Sequence, residues 1–206
     1  MDIVQLCQEF AATYAISAQN HPEEAFMFAY VLVLLGVLSR YVVASHLPWL
    51  NFTAVTGSLL FFGARRSWRE MLFPLSALMI SDYCLTTYVY HYPFQWQSYV
   101  TTWSWYLMAM ALGWILLHAK TTFVRGAAAA ILGPTSFWIV SDFSVWAGST
   151  MYPHTLGGLG ACYLAAIPFY RNDLISASLV LAGAFAVEEL LHRMSARSGQ
   201  AVLAEK

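Results

Sequence analysis

The stretch "AFMFAYVLVLLGVLSRYVVA", residues 25–44, holds twenty residues and one formal charge, Arg40. As an α-helix it rises roughly 30 Å, the thickness of a bilayer's hydrocarbon core. Just before it, "NHPEE" (20–24) supplies a start signal. Asn20 and Glu23 have capping-box spacing, Pro22 suits a first turn, and the acids favour a helix N-terminus. The segment reads as a membrane span, and the rest of the chain follows that lead.

The 206 residues are 59% apolar and 10% charged, with a mean hydropathy of +0.57. Soluble domains carry roughly 25% charged residues, so there is too little polar surface to coat a water-soluble globule. The expected class is an all-α integral membrane bundle of about six helices, with no room for a large soluble domain. A net charge of −1 argues against a nucleic-acid surface. Cys7, Cys84 and Cys162 lack CxxC spacing and suggest neither zinc nor disulfides. Residues 1–22 lack a basic n-region, so they do not read as a signal peptide. Ile3, Leu6, Cys7, Phe10 and Tyr14 recur at helical spacing there, which predicts an amphipathic segment.

After residues 25–44, spans are expected at 49–64, 71–88, 99–118, 126–146 and 172–192. The domain would cover 23–193, leaving 194–206 as a tail. The second span is short, about 24 Å, and reads as either a thin span or a re-entrant piece. "YPHTLGGLGACYLAAIPFYR" (152–171) reads as a short helix near one surface or as part of a broken last span. Eight of the ten basic residues fall after helices 2, 4 and 6, in Arg65/Arg66/Arg69, Lys120/Arg125 and Arg193/Arg197/Lys206. The positive-inside rule makes that face cytoplasmic and puts both termini there.

On this map Asp82 lies 13 residues beyond Arg69, and Asp142 lies 17 beyond Arg125. Both carboxylates therefore stand toward the outer surface, with Asn51 starting helix 2 and His46, His91 and His154 in nearby connections. A carboxylate within a span costs about 2.5–3.5 kcal/mol at mid-helix, and such groups face a protein interior or a water-filled cavity. Near the interface the cost falls, and solvation or helix capping are competing readings. The aromatics from Tyr83 to Tyr106 form an interfacial belt or line a pocket. No HExxH, GxSxG or Walker A motif occurs, and no metal-ligand spacing stands out, so neither an enzyme nor a cofactor is expected. Ala25/Ala29, Ala109/Gly113 and Ala161/Ala165 are small-xxx-small pairs that let helices approach closely.

Four blocks carry a resemblance: "NFTAVTGSLLFFGA" (51–64), "PLSALMISDY" (74–83), "DFSVW" (142–146) and "MYPHTLGGLGACYLAAIPFYRN" (151–172). Together they resemble a family of bacterial membrane proteins of unknown function. That family is similar to the S-components, the substrate-capture subunits of energy-coupling factor (ECF) transporters. Two positions depart from the family pattern: Ala54 stands where it has proline, and Asp142 where it has asparagine. The resemblance implies six helices in the bacterial inner membrane and a pocket on the outer side that binds a vitamin-like compound or metal ion. It also implies partners, namely a transmembrane coupling subunit and two ATPases, contacted through Ala25 and Ala29. Asn51, Asp82, Asp142, Trp146, Tyr152 and His154 would line or close the pocket. The alternative is an accessory or scaffold subunit of a larger membrane complex, with no ligand of its own.

Overall fold

The computed structural model describes residues 22–46 and 52–204, with side chains over 27–45 and 52–194. The amphipathic reading of residues 1–22 and the Asn20 cap lie outside the described residues. Among those described there are six α-helices and no strand: α1 (Pro22–His46), α2 (Val55–Arg65), α3 (Leu72–Cys84), α4 (Val100–Leu117), α5 (Phe123–Gly148) and α6 (Leu156–Ala204). Short 3₁₀ turns at Trp68–Met71 and Trp96–Tyr99 lead into α3 and α4, and a π-turn over Leu85–Val89 closes α3. All but α2 belong to segments long and apolar enough to cross a membrane. Their outward faces carry Leu38, Ile80, Ile115 and Leu164 well exposed, as a bilayer-facing surface requires.

The short second helix is the centre of the bundle. Every residue from Val55 to Ala64 is buried, so α2 presents no face to lipid and needs no bilayer-length run. It does not turn back on itself. Ser39 pairs with the Ala54 amide, Ser58 reaches the Leu32 carbonyl, and Arg66 lies over the Tyr30 ring. α2 therefore runs antiparallel to α1, from the level of Ser39 to that of Tyr30.

What holds α2 in the middle is backbone proximity. A Cβ on Gly63 would sit 1.9 Å from the Met110 carbonyl oxygen, and one on Gly113 would sit 2.1 Å from that of Leu60. Two glycines thus let α2 and α4 touch main chain to main chain. Leu59, Leu60, Phe61 and Phe62 fill the space around that contact with Ala109 and Met110. Edge-to-face ring pairs tie in α1 and α6: Phe28–Phe61 at 5.5 Å and Phe61–Phe185 at 5.2 Å between centroids.

The last helix departs most from the expected 172–192. α6 is one helix of 49 residues that absorbs the segment around Pro168 and continues through Ala204. At 1.5 Å per residue it runs about 74 Å, more than twice a hydrocarbon core. Proline costs the helix one amide donor at Pro168, yet that residue is exposed and α6 packs on along α5. Ser149–Thr155 makes the tight turn that sets α5 and α6 antiparallel.

The basic turns gather at one end. Arg65 makes a two-pronged pair with Glu188 at 2.6 and 2.7 Å and reaches Thr121. Its guanidinium lies 4.9 Å from the centre of the Phe185 ring. Beside it, Arg66 and Tyr30 converge on Glu70, whose carboxylate also closes a capping box with Ser67.

Candidate functional site

At the opposite end the helices separate around a cavity of about 300 Å³. Arg40 of α1, Thr53 and Thr56 at the head of α2, and Trp105 and Tyr106 of α4 form one side. Phe137, Trp138, Ser141 and Asp142 of α5 and Phe169, Tyr170 and Asp173 of α6 form the other. Pro134 inside α5 lines it too. The volume is at the lower bound of small-molecule sites, and the mixture of aromatic walls with a few polar groups is their usual lining.

The polar groups are placed by identifiable contacts. Asp173 accepts a 2.8 Å hydrogen bond from Thr56, and the Ser141 side chain stands next to that of Asp142 in the lining. The Ser176 hydroxyl donates to the Thr53 carbonyl, which pins the head of α2 against α6. The aromatics are anchored by their polar atoms. Trp105 donates to Ser136, Trp138 donates to the Tyr163 carbonyl, and the Tyr170 hydroxyl meets that of Thr135. Trp138 also stacks on Tyr170, centroids 5.1 Å apart. Rings fixed in this way form a preorganised wall.

Asp82 occupies a different position from Asp142. It is almost fully buried and pairs with Arg40 at 2.5 Å, while its second oxygen accepts from Trp103 at 2.9 Å and Tyr106 at 3.5 Å. Arg40 also donates to Ser81. This pair explains a carboxylate in an apolar helix: each charge answers the other's desolvation. Asp82 faces a second, smaller cavity of about 140 Å³, shared with Thr86, Tyr90 and Tyr99. The π-turn begins three residues after Asp82, and Thr86 within it donates back to the Asp82 carbonyl. Arg40 and Thr53 line both cavities.

The remaining expected site residues fall elsewhere. Trp146, Tyr152 and His154 sit at the α5–α6 turn rather than in the cavity lining. There Trp146 donates to the Pro153 carbonyl, meets His154 edge to face, and His154 contacts the Ser149 carbonyl. Asn51 lies outside the described residues. Ala29 is fully buried in the core, and the side chain of Ala25 lies outside the described residues. Arg40, Thr56, Asp173 and the Phe137/Trp138/Tyr170 part of the wall were not anticipated from the sequence, whereas Trp105 and Tyr106 belong to the run read as belt or pocket. One available signal pointed to Asp173: an ionisable residue beginning an apolar run is a site hypothesis by default. Among the described residues no group of three His, Cys, Asp or Glu is placed to hold a metal ion.

Fold and cavity together define a helical membrane protein with a polar, aromatic-walled chamber at one end of the bundle. Over residues 20–199 the chain matches the model of DUF6580, a family of unknown function, and it belongs to that family. No curated protein and no solved structure matches it.

Proposed function

We propose that the protein captures a small molecule in this chamber, as the substrate-binding subunit of an importer in the bacterial inner membrane. The observation that carries the reading is the chamber itself: about 300 Å³ within the bundle, lined by Asp142, Asp173 and fixed aromatic rings. Polar groups inside a membrane bundle are costly, and they persist where they line a pathway or bind something. The gathering of Arg65, Arg66, Arg69, Lys120 and Arg125 at the other end supports a cytoplasmic assignment for that end by the positive-inside rule. The chamber then opens to the outer side, and both termini are cytoplasmic. An S-component-like arrangement follows, with a transmembrane coupling subunit and ATPases supplying the energy.

Native mass spectrometry of the purified full-length protein tests this reading. A bound compound is expected in the wild type and is expected to be lost in D142A and D173A. Screening of vitamins, nucleobases, amines and metals without any binding, together with unchanged growth of both variants, overturns it. A second reading rests on α6, whose 49 residues outreach a bilayer and present a long face. That feature favours a scaffold subunit within a larger membrane complex. Co-purification separates the two: a coupling protein with ATPases supports capture, and a respiratory or photosynthetic assembly supports scaffolding.

A further inference from the structure

Resting on the capture reading, we infer that the chamber selects an organic cation: a protonated amine carried on a single aromatic or heteroaromatic ring. The charges facing the space are the starting point. Among the described residues Arg40 is the one basic residue in the lining, and its charge is already matched by Asp82 at 2.5 Å. Asp142 and Asp173 have no basic partner among the described residues; their assigned contacts are the hydroxyls of Ser141 and Thr56. Among the described residues the lining therefore holds two carboxylates in excess of its cations. In a partly buried site such an excess is unfavourable, and a proton or an entering positive charge relieves it. An anionic ligand would add to it.

The walls select among cations. Trp105, Phe137, Trp138 and Tyr170 line the same chamber as the carboxylates, and aromatic faces attract cations through the ring quadrupole, tryptophan most strongly. Rings beside carboxylates suit an ammonium attached to a flat apolar body. A bare metal ion would need several converging oxygen, nitrogen or sulfur ligands, and among the described residues no such group forms. Size narrows the choice further. At about 300 Å³ the chamber stands at the lower bound of small-molecule sites, which suits one ring with a short side chain.

The test uses full-length protein in nanodiscs and three probes of one shape: phenethylammonium, phenethyl alcohol and phenylacetate. Thermal stabilisation and competition binding are read alongside the identity of any compound that co-purifies. Phenethylammonium is expected to raise the melting temperature, the alcohol to bind at least tenfold more weakly, and phenylacetate not to bind. D142N and D173N are each expected to weaken phenethylammonium at least tenfold while folding as the wild type does. An alcohol or carboxylate that binds as well as the ammonium, or a retained compound that is neutral or anionic, overturns the charge assignment and leaves capture standing. No retained compound and no response to any probe overturns both.

Discussion

The two ends of the bundle are built on opposite principles. At the Arg65 end main chains touch, rings interlock edge to face, and Arg65, Arg66 and Arg193 each have a carboxylate partner. At the chamber end the same helices part, and two of the carboxylates they expose have only hydroxyl contacts assigned. The contrast shows a division of labour along the helix axes. One end pairs its arginines with carboxylates, packs main chain against main chain and holds the fold. The other leaves space and charge unsatisfied, which sequences tolerate chiefly at functional sites. Substitutions of similar chemistry should therefore have different consequences at the two ends.

The largest effect is expected where backbones meet. G63L and G113L each drive a side chain into a carbonyl that stands about 2 Å from the new Cβ. Overpacking costs typically 1–3 kcal/mol when only side chains must yield; here a whole helix must move, and about 3 kcal/mol or more is expected. The readout is loss of monodisperse protein in size-exclusion chromatography. G183A is the control, since nothing lies within 4 Å of its added methyl, and its effect should stay within about 1 kcal/mol, in the stabilising direction. Normal melting of both leucine variants would show that the α2–α4 contact is not what holds this end.

Next comes the ion pair at that end. Glu188 is buried, and E188A leaves the Arg65 guanidinium without its two-pronged partner. Breaking a buried pair from one side costs about 3–5 kcal/mol, whereas replacing both partners by apolar residues is often neutral. Thermal melts of E188A and of R65M/E188L check this. The double variant should recover most of the loss, and a double variant as unstable as E188A would point to Arg65 acting through Thr121 and the rings instead.

A milder loss is expected for the pair at the chamber end. D82N keeps an oxygen for the Trp103 indole and removes the charge facing Arg40. A hydrogen bond to a charged group is worth about 1.5–3 kcal/mol, and Arg40 borders a chamber where Asp142 also sits. D82N is therefore expected to melt lower than the wild type but higher than E188A. The reverse order would mean that the chamber end, not the Arg65 end, carries the fold.

Much of this contrast was legible in the sequence, and its limits have physical causes. Apolar runs bounded by charged turns located four spans to within a few residues, because hydrocarbon thickness sets their length. The spacing of the basic clusters likewise put Arg65, Lys120 and Arg193 at one end. Helix 2 looked merely short because a helix walled in by neighbours is uniformly apolar, like a lipid-facing one. α6 was divided before Asn172 because Pro153, Gly157, Gly158 and Pro168 punctuate residues 152–171 and proline usually ends helices, and the exposed position of Pro168 could not be seen. The Arg40–Asp82 pair was within reach: each is the lone charge of its apolar run, at similar distance from the basic end, and isolated buried charges seek each other. Asp173 stayed hidden because it opens an apolar run, where an acid also suits a helix start. The chamber walls depend on which faces of α4, α5 and α6 meet, and apolar periodicity does not distinguish a wall from a belt.

The smallest stability effect, and the sharpest test of the contrast, is expected from D142N and D173N. Each removes a charge that lacks a basic partner among the described residues, and asparagine keeps an oxygen that can accept from Ser141 or Thr56. Taking an uncompensated carboxylate out of a low-dielectric site relieves desolvation and repulsion, so the melting temperature should hold or rise, by about 1 kcal/mol at most. A residue kept for packing would behave oppositely. If either variant melts as low as D82N, its carboxylate belongs to the architecture, and the two ends differ in packing density alone. If both stay stable while losing their ligand, the charges at the chamber end are retained at a cost in stability for what they bind. The same two substitutions therefore separate fold from function in one bundle.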